Sequence, residues 1–163
     1  MFKIEILMKK GYKNSHGEHI LSDICGIGIK NITKVEYSPL YVIDGDISSV
    51  ETETIAAELL SDKITETYTV NSCSQTNCGQ SLPSKPAINN SMNCIVEVWY
   101  KKGVTDTVSG SVVKAVKDLG ISKKIEVKTG HKYYLHGKIS QTILNKIVIK
   151  LLANTLIQEY KIK

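Results

Sequence analysis

The sequence has few aromatic side chains and no long apolar run. Of its 163 residues, one is Phe and one is Trp, and its net charge of +5 comes from lysines scattered along the chain. Nucleic-acid binders more often combine a basic stripe with stacking aromatics, so the composition argues against RNA or DNA as a partner. Without a stretch of about 20 apolar residues, the chain is not expected to cross a membrane.

The first residues also lack the features of a secretory signal. Lys3 and Glu5 interrupt the opening apolar run, and no apolar core region follows. We therefore expect a cytoplasmic protein, in which the sequons at Asn31 and Asn89 carry no meaning. In that compartment the four cysteines should be reduced thiols.

Two parts of the chain share one pattern at an offset of 92 positions, which places Ile4–Gly11 on Val96–Gly103. Further matches at the same offset pair Gly28-Ile29 with Gly120-Ile121, Val35 with Val127, Tyr41 with Tyr133, Gly45 with Gly137, Leu59-Leu60 with Leu151-Leu152, and Tyr68 with Tyr160. Two copies are too few for a solenoid, whose short units need several neighbours to bury their apolar faces. The pattern therefore indicates a duplicated domain.

Each copy is predicted to have the element order β-α-β-β-α-β. The first copy begins with an alternating strand at residues 3–9 and a helix capped by Asn14 or Ser15. Strands Ile32–Tyr37 and Leu40–Asp44 follow, separated by Ser38-Pro39. The copy ends with a helix beginning at Ser48 and an alternating strand Ile64–Val70. The second copy begins with a strand at Val96–Tyr100 and a helix capped by Asp106, with Val108, Val112, Val116 and Leu119 on one stripe. Strands Ile125–Thr129 and Lys132–Leu135 follow, with a turn at Gly130. The copy ends with a helix carrying Ile143, Ile147 and Leu151 and a strand Leu156–Ile162.

The predicted fold class is α+β, with two tandem βαββαβ units at residues 1–71 and 94–163. Residues 72–93 are rich in Ser, Asn, Gln and Pro and are predicted to form a polar linker. A flexible linker of about 22 residues has a typical span of about 25 Å, enough for the copies to pack as a pseudo-dimer. Each antiparallel sheet should carry its helices on one face. Trp99 and Tyr134 fall on the other face, which predicts that another copy or chain, such as a homodimer partner, covers it.

Candidate ligand and catalytic residues have simpler structural interpretations. Cys73 and Cys78 could form half of a zinc site, but no second pair has matching spacing, so we predict exposed linker thiols and no metal. Cys25 and Cys94 lie in apolar patterns typical of core residues. No Ser, Cys or Lys has a nearby base in a recognisable nucleophile arrangement, so no catalytic residue is predicted.

The histidines likewise give no ligand set. His16 and His19 lie three residues apart at the start of a helix and could share a face, but no carboxylate-rich partner motif accompanies them. His131 and His136 should lie on opposite faces of a strand. We therefore predict that His16 and His19 are a surface pair and that His131 and His136 form no ligand set.

The second copy carries a series of short motifs in a particular order. These are Lys101-Lys102-Gly103-Val104-Thr105-Asp106, Gly110, Leu119-Gly120, Val127-Lys128-Thr129-Gly130, Leu151-Leu152-Ala153-Asn154 and Glu159-Tyr160. In order and spacing they resemble PurS, the small subunit of phosphoribosylformylglycinamidine (FGAM) synthase. Thr155 stands where that family usually has Pro, and His131 where it usually has Lys. The first copy resembles the family less, with Tyr12-Lys13-Asn14 and Ser61-Asp62 at the corresponding places.

The resemblance implies a non-catalytic subunit of purine biosynthesis. It would bridge a synthase (PurL-type) and a glutaminase (PurQ-type) subunit and help to enclose the route of ammonia. ATP and Mg would bind to the synthase, and this chain would need no cofactor. The partner contacts implied are Lys101, Lys102, Gly103, Asp106, Gly110, Lys128, Gly130, His131, Lys132 and Asn154.

Two of the implied contacts have a second explanation, and the predicted fold is compatible with a second function. Capping by Asp106 and close packing at Gly110 would account for these residues without a partner. A tandem ACT-like module that binds amino acids would share the element order, and analogy between folds cannot separate the two functions.

Overall fold

The computed structural model describes residues 1–72 and 93–163, and this part of the chain forms the predicted α+β fold. Its elements are β1 (Phe2–Met8), α1 (Ser15–Gly26), β2 (Ile32–Gly45), α2 (Ser49–Ile55), β3 (Glu66–Ser72), β4 (Asn93–Tyr100), α3 (Thr107–Asp118), β5 (Ile125–Gly137), α4 (Gln141–Ile147) and β6 (Gln158–Ile162). A π-helical turn continues α2 at Ala56–Leu60 and α4 at Val148–Leu152. None of the helices in these residues is long and apolar enough to span a membrane.

The strands are hydrogen-bonded in the order β3-β1-β2-β5-β4-β6. β1 pairs antiparallel with both β2 and β3, and β4 pairs antiparallel with β6. The registers place Ile4 opposite Tyr41 and Val70, and Val98 opposite Tyr160.

The chain folds into two compact units, and each draws on both halves of the sequence. Unit 1 contains residues 1–13, 38–72 and 102–130, and unit 2 contains residues 14–37, 93–101 and 131–163. Helix α3 of the second repeat thus belongs to unit 1, together with α2. Helix α1 of the first repeat belongs to unit 2, together with α4. The proposed linker lies, apart from its two ends, outside the described residues.

The predicted breaks in the middle strands are wrong. β2 continues through Ser38 and Pro39, and β5 continues through Gly130, so each copy has one long strand where two were expected. A strand tolerates proline where the missing N–H is not needed for pairing. Within β2, residues up to Tyr37 belong to unit 2 and those from Ser38 onward belong to unit 1. Within β5, residues up to Gly130 belong to unit 1 and those from His131 onward belong to unit 2. The local signals therefore mark the places where a strand passes from one core to the other.

The core of unit 1 is built from alternate strand residues and two helix stripes. Its buried members are Ile4, Ile6, Ile43, Ile47, Ile55, Ala56, Val112, Val116, Ile125 and Val127. Val112 and Val116 occupy the middle of the predicted α3 stripe, whereas its ends, Val108 and Leu119, are exposed. Burial of an aliphatic side chain of this size contributes about 1.5–3 kcal/mol, so α3 is a substantial part of this core.

The core of unit 2 follows the same plan. Its buried members are Ile20, Ile24, Ile29, Ile32, Val35, Val96, Val98, Tyr133, Leu135, Leu144, Ile147, Val148, Leu152 and Ala153. Ile20 and Ile24 come from α1, which here covers strands of the second repeat. Cys94 packs partly against this core, as expected, whereas Cys25 is exposed, because it lies on the outer side of α1.

The four α-helices in the described part of the chain each begin at a side-chain cap. Asn14, Ser48, Asp106 and Ser140 each accept a hydrogen bond from the backbone N–H three residues later. The predictions for Asn14, Ser48 and Asp106 are therefore confirmed. Such caps satisfy donors that the first helical turn leaves without partners.

The cap of α2 is reinforced by charge. The Glu51 carboxylate accepts hydrogen bonds from the N–H and hydroxyl of Ser48, and Lys123 Nζ lies 2.9 Å from Glu51 Oε2. The hydrogen bond from Lys123, followed by those from Ser48, lowers the pKa of Glu51 to about 2. A carboxylate at a helix N-terminus is also favoured by the helix dipole.

We expect Glu51→Gln to make the stability of the protein less dependent on pH. Because the folded pKa lies below that of the unfolded chain, ionised Glu51 stabilises the fold above about pH 4.5. This contribution is lost as the pH falls toward 2. Urea unfolding at pH 6 and pH 3 should show a wild-type advantage that shrinks in acid. Glu53→Gln, an exposed change on the same helix, is the control, and an advantage of equal size at both pH values would contradict the assignment.

Helix α1 lies very close to β2. A Cβ at Gly17 would clash with the carbonyl oxygen of Val35. At the equivalent position of the second copy, Ser109 donates a 2.6 Å hydrogen bond to the carbonyl of Val127. Gly110, in contrast, has nothing within 4 Å of an added Cβ. Close packing therefore does not explain Gly110. The glycine that permits close approach of a helix to a strand here is Gly17.

We expect Gly17→Ala to destabilise the protein by about 1–3 kcal/mol, because the helix must move away from the strand. Gly110→Ala should leave stability unchanged or raise it by up to about 1 kcal/mol, since alanine is the better helix former. Guanidinium unfolding of the two variants provides the comparison. Similar losses for both would show that α1 is not held at the observed distance.

Candidate functional site

The loop between β4 and α3 is fixed by Asp106. Asp106 Oδ1 accepts a hydrogen bond from Ser109 N at 2.9 Å, and Oδ2 accepts from both the N–H and the hydroxyl of Thr129 at 2.9 Å. One carboxylate therefore caps α3 and attaches its first turn to β5. Asp106 is half-buried within unit 1, so its immediate role is structural.

Asn14 performs the equivalent task in unit 2 with different hydrogen-bond chemistry. Its Oδ1 accepts from Gly17 N at 2.9 Å, while its Nδ2 donates to the carbonyl of Tyr37 at 2.7 Å. Tyr37 and Thr129 are equivalent positions of the two copies. An amide can donate and accept, whereas a carboxylate only accepts. The two caps are therefore fitted to different strand groups.

Aromatic and imidazole side chains gather beside α1 in unit 2. The ring centroid of Tyr37 lies 4.1 Å from that of His16, 5.7 Å from that of His131 and 5.6 Å from that of Tyr133. The Tyr37 hydroxyl and His131 Nδ1 are 2.9 Å apart, a hydrogen-bond distance. This group, which we call the Tyr37 cluster, presents flat rings and hydrogen-bonding atoms.

Desolvation shifts the pKa values of two members of the Tyr37 cluster. Desolvation, with a smaller effect of the nearby His19, lowers the pKa of His16. Desolvation likewise raises the pKa of Tyr133. Both side chains are therefore favoured in the neutral form at neutral pH. The equivalent positions of unit 1 hold Val108, Pro39, Thr129 and Tyr41, so the cluster is built in unit 2 alone among the described residues.

Lys101 and Asn154 are brought together at a turn of unit 2. Lys101 Nζ donates to the carbonyl of Thr155 at 2.6 Å and also reaches that of Leu156 at 3.4 Å. Asn154 Oδ1 accepts from Leu156 N, and Asn154 N donates to the side chain of Gln158. Both predicted residues therefore determine the shape of one exposed turn.

The same turn occurs in unit 1, where the sequence motif is absent. Lys9 Nζ donates to the carbonyls of Lys63 and Ile64 at 2.6 and 3.4 Å. Asp62 Oδ1 accepts from Ile64 N, Thr65 N and the Thr65 hydroxyl. These hydrogen bonds, the one from Thr65 first, lower the pKa of Asp62. Asp62 thus replaces the amide of Asn154, a match that the offset of 92 predicts but the motif comparison missed.

The remaining predicted residues are divided between the units. Lys102, Gly103, Gly110 and Lys128 are exposed in unit 1, and Gly130 is buried there. Gly103 has a φ of 86°, a backbone conformation that favours glycine. In unit 2, Lys132 Nζ lies 4.8 Å from the ring centroid of Tyr134, within the range of a cation–π contact. The ten predicted residues are therefore distributed over both units.

The histidines lie as the strand and helix periods predict. His136 Nε2 lies 2.9 Å from Glu36 Oε2, and His131 contacts the neighbouring Tyr37 on the other face of the strand. His19 is exposed, and its Nε2 lies 3.8 Å from Asp23 Oδ2. His16, predicted to be an ordinary surface residue, is exposed but contacts Tyr37 as well.

Two further observations on the described residues concern metal ligands and cavities. In this part of the chain no group of three or more His, Cys, Asp and Glu side chains could hold a metal ion. Cys73 and Cys78 lie outside it. A shallow, open pocket of about 230 Å³ in unit 1 is lined by Lys9, Ala57, Ser61, Lys63, Glu66, Thr67 and Tyr68.

We expect Asp106→Asn to destabilise the protein by about 1–3 kcal/mol, because an amide N–H₂ would face the N–H of Ser109 or Thr129. Asn14→Asp should be costly for the opposite reason, since a carboxylate oxygen would face the carbonyl of Tyr37. Thermal unfolding at pH 7 measures both effects. Asp118→Asn, on an exposed position of α3, is the control, and an equally small loss for Asp106→Asn would contradict the double role of Asp106.

Comparison with known protein families finds a similarity in the second half of the chain. Residues 93–163 match the family model PurS, described as phosphoribosylformylglycinamidine (FGAM) synthase. The match covers all ten residues predicted from the motifs. No curated protein matches the chain.

Proposed function

We propose, from the match of residues 93–163 to the PurS family model, that the whole chain serves as the PurS-type subunit of FGAM synthase in purine biosynthesis. In this role it bridges the synthase and glutaminase subunits and catalyses no step itself. The family match of the second half is the observation that carries the proposal.

The first half is proposed to act as a second PurS-like copy. Its support is the repetition of individual contacts, since Lys9 and Asp62 shape one turn as Lys101 and Asn154 shape the other. Helix caps also recur at equivalent positions. A single chain would then supply both members of a PurS pair.

The chemistry of ammonia explains why a subunit without catalytic residues is useful. Ammonia released by a glutaminase is small, and in water it is easily lost or protonated. A protein bridge that excludes water keeps it neutral and near the acceptor. In this proposal ATP and Mg bind to the synthase, no cofactor binds to this chain, and the complex works in the cytoplasm.

The exposed lysines of unit 1 are the best candidates for partner contacts. Lys102 lies in the loop that Asp106 fixes, and Lys128 lies on β5 next to Thr129, which also bonds Asp106. A fixed backbone reduces the ordering entropy that binding would otherwise cost. In this interpretation Asp106 and Gly130 shape the surface, while Lys102 and Lys128 contact acidic groups of a partner.

Reconstitution tests the proposal. We expect the chain to be required for glutamine-dependent FGAM formation by the matching synthase and glutaminase subunits, and to show no activity alone. Turnover supplied with ammonium salt should depend on it much less, because that reaction needs no transfer between subunits. Glutamine-dependent turnover that is unchanged when the chain is omitted would refute the bridge.

We expect Lys102→Glu to raise the concentration of the chain needed for half-maximal stimulation by about tenfold, since it replaces attraction by repulsion at the contact. Lys10→Glu changes the equivalent exposed lysine of the first copy and is the matched control. An equal effect of both changes would point to net charge, and no effect of Lys102→Glu would remove this loop from the interface.

A further inference from the structure

An apolar patch is exposed where the π-helical turn of unit 2 leads into β6. Leu156 is 83% exposed, Ile149 is 53% exposed and Ile157 is 40% exposed. Single exposed apolar residues are normal, but here three fall within nine positions of the chain. The alternation of the sequence had placed Leu156 inside a strand, and this prediction is wrong because β6 begins only at Gln158.

Hydrogen bonds hold Leu156 in this exposed position. We call residues 154–157 the Leu156 turn. The carbonyl of Asn154 accepts from Ile157 N at 3.1 Å and Gln158 N at 2.7 Å, and its side chain accepts from Leu156 N at 3.1 Å. From the other side, Lys101 Nζ binds the carbonyl of Thr155. The leucine is thus displayed on a backbone that is already ordered.

Unit 1 contains the same turn without the same surface. In the Ile64 turn, residues 62–65, Ile64 is 70% exposed and the backbone is held by Lys9 and Asp62. However, the position of Ile149 is taken by the half-buried Ala57, and that of Ile157 by Thr65. The shape of the turn is therefore common to both units, whereas the apolar patch is specific to unit 2.

Charge distinguishes the two surfaces further. The helical segment Gln141–Leu152 contains exposed Lys146 and Lys150 and no acidic residue. The equivalent segment Ser49–Leu60 contains three glutamates and no basic residue. Lys146 and Lys150 are four positions apart and flank Ile149 in sequence. The helical segment that carries Ile149 thus adds two exposed positive charges, while one exposed negative charge, Glu159, follows Ile157.

We propose that the Leu156 turn is a preorganised docking knob that inserts into an apolar hollow with an acidic rim on a subunit of the synthase complex. The identity of the partner rests on the proposed function. Leu156 supplies the side chain that enters the hollow, Ile149 and Ile157 widen the apolar contact, and Lys146 and Lys150 face the carboxylates. Buried aliphatic anchors in such hollows carry a large share of binding energy, and rim charges mainly add specificity and rate.

The test compares Leu156→Ser with Ile64→Ser, the same kind of change at the equivalent turn of unit 1. Each variant is titrated into the matching synthase and glutaminase subunits, and both Kd and half-maximal stimulation are measured. Leu156→Ser should weaken binding about tenfold or more, because one exposed leucine no longer becomes buried. Ile64→Ser should change it less than twofold. Thermal unfolding of both variants should match the wild type, since both side chains are exposed.

A second comparison addresses the acidic rim. Lys150→Glu should weaken binding several-fold, and the loss should diminish as salt increases. Lys117→Glu, an exposed change on α3 of unit 1, should have little effect. If the Lys150→Glu variant binds as tightly as the wild type or more tightly, the proposal that the hollow has an acidic rim is refuted.

The remaining outcomes separate the two proposals. If wild-type chain stimulates turnover and Leu156→Ser does so equally well, the docking knob is refuted and the bridging function stands. If Leu156→Ser instead changes the sedimentation of the isolated chain, the turn contacts a second copy, which also refutes it. If the wild-type chain neither binds nor stimulates the subunits, both proposals fail.

Discussion

Each hydrophobic core is completed by a helix and a strand segment from the other half of the sequence. In unit 1, Val112 and Val116 of α3 pack with Ile4 and Ile6 of β1. In unit 2, Ile20 and Ile24 of α1 pack with β4 residues such as Val96. A domain of some 70 residues is near the lower limit for an independent core, so the removal of one helix and part of a strand leaves too little apolar burial for either half alone. The two repeats are therefore units of sequence, while the units of folding combine both.

This exchange makes the loops after β1 and β4 structurally important, because each leads directly into the helix that completes a core. Asn14 and Asp106 close these loops by capping the helix and binding the adjacent strand. The copies have diverged in how they do so. Gly17 allows the backbone of α1 close to Val35, whereas Ser109 fills the corresponding gap and bonds the carbonyl of Val127. Different side chains thus preserve the same connection between helix and strand.

Periodicity and capping rules predicted most of the elements, because both depend on neighbours in sequence. They failed where contacts between distant residues decide the outcome. Pro39 and Gly130 are ordinary break signals, but pairing with neighbouring strands keeps β2 and β5 continuous. Leu156 continued the alternation of its strand, but the bonds from Asn154 and Lys101 turn the chain before the strand begins. The Tyr37 cluster was missed for the same reason, since its members come from three separate elements.

The contrast between the Leu156 and Ile64 turns separates the contacts that the fold requires from the surface residues that a partner can contact. Both turns keep a lysine on the carbonyls and an Asx side chain on the amides, so these contacts serve the backbone in either unit. The residues that differ are the ones directed outward from the turn and its helix. A pair of identical chains must present every surface twice. A chain that carries both copies can make one turn apolar and basic and keep the other acidic, so it can offer different surfaces to different partners on one scaffold.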